Sequence, residues 1–128
     1  MRIREAAKAV GLSPDTLRYY EKISLVPRPA RGAGGQRAYR DKDLKRLRFV
    51  VRAQAIGFTL QEIKELLRFR ENPIKCSRGV RMLAQRKCEA LRAQQQALAQ
   101  MQGELSLLLN LCSGDADHCP ILEKLDAE

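Results

Sequence analysis

Three of the four cysteines in this 128-residue chain fall where sulfur could do chemistry: Cys76, Cys112 and Cys119. Cys112 and Cys119 have six residues between them, enough for a loop to fold back and offer both sulfurs to one ion. Thiolates are soft donors and select Cu(I), Zn, Cd, Hg or Pb over Mg and Ca. Cys76 lies 36 residues before Cys112, and the stretch between them reads as one helix, about 54 Å long at the α-helical rise. A continuous helix therefore keeps Cys76 away from Cys112 within one subunit. Two such helices running antiparallel place the partner subunit's Cys76 beside Cys112 and Cys119. The arithmetic predicts a homodimer with a soft-metal site at each end of its seam.

His118 is the single histidine and stands next to Cys119, which makes it a further candidate ligand. Adjacent residues often point apart, so an exposed loop histidine is the plainer reading. Cys88 falls beside the seam, far along the helix from both clusters, and reads as a small apolar packing residue. Cys76 and Cys119 both precede helices, where the macrodipole favours the thiolate.

The elements that must position these residues are legible from spacing. Ile3 to Val10 reads as a short helix with Ile3, Ala6, Ala7 and Val10 on one face, stopped by Gly11. Ser13 as N-cap, Pro14 at the first helical position and Asp15 in the first turn start a second helix that runs to about Lys22. Helix, glycine turn, helix is the helix-turn-helix pattern. Residues 25–40 carry prolines, then Gly32, Gly34 and Gly35 between short extended arms, and read as a hairpin with Arg28, Arg31, Arg37 and Arg40: a basic wing. Asp41 opens a third helix, with Leu44, Leu47, Val51 and Ile56 expected near one face, and Gly57 ends it. Thr59 and Glu62 predict a capping box and Phe58 a staple against Ile63, opening a fourth helix that ends near Asn72-Pro73.

From about Ser77 a heptad pattern sets in. Ala84, Leu91, Leu98, Leu105 and Cys112 recur every seven residues, with Val80, Lys87, Gln94, Met101 and Leu108 at the complementary positions. Such a repeat argues for a coiled coil, and Lys87 and Gln94 help to fix its register. Pro120 then starts a short terminal helix with Cys119 at its N-cap. The expected organisation is a DNA-binding head over residues 1–72, a dimerisation helix over 73–112, and a metal-binding loop with a short helix over 113–128.

Charge supports the division. The formal net charge is +9, and residues 1–72 carry all of it, with 17 Lys/Arg against 8 Asp/Glu. A basic first part and a neutral second part read as a nucleic-acid module joined to an interaction module. No apolar run is long enough to span a bilayer, and the N-terminus lacks a signal-peptide core, so a cytoplasmic protein with reduced thiols is expected. On the second helix Thr16, Arg18 and Tyr19 can face outward while Leu17 packs inward, with Arg18 able to reach base edges or phosphate. The full candidate set for DNA contact is Ser13, Thr16, Arg18, Tyr19 and Tyr20, with Arg31, Arg37 and Tyr39 from the wing. No Ser/His/Asp set, phosphate loop or carboxylate pair is visible, so an enzyme is not expected.

The string Leu12-Ser-Pro-Asp-Thr-Leu-Arg-Tyr-Tyr-Glu-Lys-Ile-Ser-Leu-Val-Pro-Arg-Pro29, followed by Gly35-Gln-Arg-Ala-Tyr-Arg40, resembles the MerR family of transcriptional regulators. So do Ala55-Ile-Gly-Phe-Thr-Leu-Gln-Glu-Ile63 and the tail Cys112…Cys119-Pro-Ile-Leu-Glu123. The resemblance spans essentially the whole chain. It implies a mainly α fold: a winged helix-turn-helix head, a two-helix connector and a long antiparallel coiled-coil dimerisation helix.

The resemblance also implies a mechanism. The dimer would sit on double-stranded promoter DNA whose elements are spaced too far apart. It would repress as apo protein and activate on metal binding by bending and untwisting that DNA, acting on RNA polymerase through the DNA rather than by stable contact. Copper-responsive relatives have Ser at the position of Cys76, so Cys here points to the divalent branch. Cadmium, lead and mercury are expected ahead of zinc, which prefers four ligands, and zinc ahead of copper. The alternatives are a thiol redox or electrophile sensor with the same head, or a Cu(I)-type sensor.

Overall fold

The computed structural model describes residues 1–28, 38–74, 77–112, 114 and 117–127. Among the described residues six helices follow one another: α1 (Ile3–Val10), α2 (Pro14–Lys22), α3 (Asp41–Ile56), α4 (Leu60–Arg70), α5 (Arg78–Leu111) and α6 (Pro120–Asp126). No strand occurs among the described residues. Residues 29–37 of the wing, with Arg31 and Arg37, and the candidate ligand Cys76 lie outside them.

Local chemistry sets the helix ends. Gly11 and Gly57 close α1 and α3 in the left-handed region, with φ of 76° and 106°, where a side chain is disfavoured. The Ser13 hydroxyl accepts from Thr16 N at 3.1 Å, and Pro14 occupies the first helical position. The predicted capping box of α4 is formed in both directions: Glu62 N donates to Thr59 Oγ1 at 3.2 Å, and Thr59 N donates to Glu62 Oε1 at 2.8 Å. Arg40 N donates to Asp43 Oδ2 at 2.8 Å to open α3, and Ser77 Oγ accepts from Val80 N at 3.4 Å ahead of α5.

Two compact units divide the chain, Met1–Leu83 and Ala84–Glu128. In the first, α1 packs on α2 and α3, and α3 on α4. Their core comprises Ala6, Ala7, Val10, Leu17, Leu25, Leu44, Leu47, Val50, Ala53, Ile63 and Leu67, with Phe58 partly buried against it. Each of its large aliphatic side chains contributes roughly 1.5–3 kcal/mol by leaving water. The buried stripe of α3 differs from the one expected. Val50 and Ala53 are buried, whereas Ile56 is 60% exposed. α3 is packed by α1 and by α4, so its buried face follows the i, i+3 ridge from Leu44 to Ala53 and leaves the last turn outside.

The first turns of α5 belong to the same unit, because Gly79 comes up against the ring of Phe69 on α4. Leu83, one turn on from Gly79 along the same face, is the one residue of α5 that is buried. In the second unit the rest of α5 carries its apolar residues in the open: Leu91, Leu98, Met101 and Leu105 are all exposed.

Candidate DNA-binding face and thiol loop

α2 is held by its inward face. Leu17 is fully buried and Tyr20 is buried beside it. That anchoring turns Asp15, Arg18, Tyr19 and Lys22 outward, all four exposed, at the i, i+3, i+4, i+7 spacing of one helical face. Arg18 Nη1 donates to Asp15 Oδ1 at 2.9 Å, with both side chains largely open to solvent. An exposed pair of this kind contributes little to stability, but it orients the guanidinium along the helix. The Ser13 and Thr16 hydroxyls lie 2.8 Å apart, so Ser13 is committed to the cap and to Thr16. Lys22, outside the expected DNA-contact set, shares this exposed face. Its signal is its place four residues after Arg18.

The structure places two expected DNA-contacting tyrosines elsewhere. Tyr20 is 4% exposed, and its hydroxyl donates to Gln54 Oε1 of α3 at 2.9 Å. Burial pushes that hydroxyl above the ordinary tyrosine range, and the Gln54 bond draws it partly back. Tyr39 is also 4% exposed, and its hydroxyl donates to Glu21 Oε1 of α2. Both rings add apolar area to the core, and both hydroxyls find partners inside the head. Of the three expected tyrosines only Tyr19, which is 48% exposed, faces outward. The backbone of Tyr39 is paired as well: its N–H donates to Met1 O at 2.6 Å, and its carbonyl accepts from the Met1 amino group at 3.2 Å.

At the other end of the sequence the candidate ligands flank one loop. Cys112 follows the last turn of α5, its N–H on Leu109 O at 3.1 Å, and is exposed. Cys119 is the N-cap of α6 and half-buried, with its carbonyl accepting from Glu123 N at 3.0 Å. His118 is exposed, with Nδ1 2.8 Å from Glu123 Oε1, so the imidazole is turned toward α6. Among the described residues no three His, Cys, Asp or Glu side chains gather as an ion site. Two sulfurs and one imidazole on a single loop are a soft donor set, and the third expected sulfur, Cys76, lies outside the described residues. Cys88, expected to pack beside the seam, is exposed on this chain.

Known proteins resemble the chain along its whole length. The MerR HTH family of regulatory proteins matches residues 1–70, and the MerR DNA-binding family matches residues 44–108. The transcriptional regulator HmrR of Rhizobium leguminosarum bv. viciae is 39% identical over 126 residues, covering 98% of this chain and 97% of that one. The regulator PbrR691 of Ralstonia metallidurans CH34, solved in complex with lead(II), superposes with a TM-score of 0.82 at 34% identity, covering 98% of both chains. A dual-function regulator of Bacillus megaterium MB1, solved with mercury(II), gives a TM-score of 0.75 at 31% identity, covering 99% of this chain and all of its own.

Proposed function

The chain belongs to the MerR family of helix-turn-helix regulatory proteins, and from that premise we propose that it is a transcriptional regulator switched by a soft divalent metal ion. The observation that carries the reading is the Cys112–Cys119 loop, with His118 inside it, at the end of a chain similar over its full length to regulators solved with lead(II) and mercury(II). A homodimer completes the site: the partner subunit's Cys76 joins Cys112 and Cys119, because an antiparallel seam along α5 puts opposite helix ends together. Three sulfurs suit Pb(II), Hg(II) or, with a fourth donor, Cd(II). Zn(II) would call on His118 or water. His118 would have to leave Glu123 to bind.

The residues of the head perform the DNA side of the work. The outward face of α2, with Arg18, Tyr19 and Lys22, enters the groove, and the cationic surface of the head holds the backbone. Without metal, the dimer occupies a promoter in a form that polymerase cannot use. Capture of the ion favours the conformation in which the two heads bend and untwist the DNA. A ligand shifts this balance only by binding that conformation more tightly, and DNA deformation on this scale costs several kcal/mol.

Cys76→Ser is the decisive variant. It should bind promoter DNA with wild-type affinity and lose induction by divalent ions in a transcription assay with Pb, Hg, Cd and Zn. Unchanged induction would remove Cys76 from the ligand set. Metal analysis of the reduced protein, with thiol counts before and after loading, separates this reading from a thiol redox switch, which would respond to oxidant with no ion bound.

A further inference from the structure

One guanidinium ties the turn after α2 to the end of α4. After α2 the chain turns sharply: Ser24 has φ of 61°, and Leu25 N donates to Tyr20 O at 2.9 Å, so Leu25 is fixed to the last turn of α2 and is fully buried. Arg46, on α3, donates from Nη2 to Leu25 O at 3.4 Å and from Nη1 to Glu71 Oε1 at 2.7 Å. Glu71 is the C-cap residue of α4 and stands five residues before Cys76 in the sequence. The Arg46 side chain is 22% exposed, and its Nε is buried without a partner among the described residues. Burying an unsatisfied N–H is unfavourable, so the two Nη contacts hold this pose against a cost.

We infer that Arg46 is a positioning residue of the switch: its ion pair with Glu71 makes the recognition helix feel the segment that carries Cys76. This rests on the metal reading above. An ion held by Cys76 would act on the chain five residues beyond Glu71. Through Arg46 that action would reach the Leu25 carbonyl and the C-terminal end of α2. The pair is suited to this role because it joins three elements far apart in sequence through one planar, bidentate group. The Glu71 side chain is 66% exposed, so the pair adds little to the stability of the head.

The test compares the full-length wild type with Glu71→Gln, which keeps the shape and removes the charge. Four quantities are read: melting temperature, apo affinity for promoter DNA, stoichiometry of bound Hg(II), and the ratio of Hg-loaded to apo transcription at saturating DNA occupancy. The first three should stay at wild-type values, and the transcription ratio should fall at least about fivefold, the low end of ordinary coupling between sites. A variant that induces fully overturns the inference. So does one whose induction falls only together with melting temperature or mercury binding, since the pair would then be structural. A wild type that does not respond to Hg(II), Pb(II), Cd(II) or Zn(II) overturns the metal reading itself, and is recognised because the wild type has no ratio to lose.

Discussion

Tyr39 shows how a polar side chain near a candidate DNA-binding face can belong to the fold. Its hydroxyl donates to the Glu21 carboxylate, which is itself 6% exposed on the inner side of α2. A buried carboxylate deprived of a donor is left under-solvated, and that penalty is typically about 1–3 kcal/mol. Tyr39→Phe keeps the ring, and with it the apolar burial, while removing the donor. It should therefore lower head stability by about 1–2 kcal/mol in denaturant unfolding. Promoter affinity under native conditions should stay within about threefold, because the hydroxyl faces Glu21 rather than solvent and a lost phosphate contact would instead change the salt slope. A large loss of affinity with unchanged stability would return Tyr39 to the DNA-contacting set.

Among the elements, what could be read in advance divides by range. The starts of α2 and α4 carried their own local chemistry, at Ser13-Pro14 and Thr59…Glu62, and these caps formed because they need only neighbours three residues away. The inward turn of Tyr20 and Tyr39, the Arg46–Glu71 pair and the contact of α4 with α5 each join segments distant in sequence, and no periodicity announces them. The cysteine loop was legible as a donor set because thiol chemistry is written in residue type. Its expected closure by the partner subunit's Cys76 falls outside the described residues. The α4–α5 contact makes its own prediction. At Gly79 a side chain would run into the ring of Phe69, and Leu83 on the same face is buried. Gly79→Leu adds helix propensity, but it overpacks this junction, which usually costs about 1–3 kcal/mol. Net destabilisation of the Met1–Leu83 unit is expected, read as a lower melting temperature, with α5 still helical by circular dichroism. An increase in melting temperature would mean that the Phe69 ring moves aside freely.

For the whole molecule the deciding fact is that α5 runs 34 residues with one of them buried. A helix of that length draws most of its stability from packing an apolar face. Here Leu91, Leu98, Met101 and Leu105 are exposed on a single chain, at the heptad spacing of a seam. A second copy of the same helix, antiparallel and crossing near Gln94, the midpoint between Cys76 and Cys112, would cover them. Leu98→Glu with Met101→Glu would put charges into the apolar seam from both chains at once, and burying them is costly. The double variant should sediment as a monomer of 14.5 kDa, and the wild type at twice that mass. The functional consequence follows from counting heads. A monomer neutralises about half as many phosphates, so the slope of log affinity against log salt should fall to about half. It should also lose metal-dependent induction, because Cys112 and Cys119 would no longer meet the partner subunit's Cys76. A double variant that still sediments as a dimer would place the seam on another face of α5. Induction by a true monomer would mean that one chain holds the ion alone.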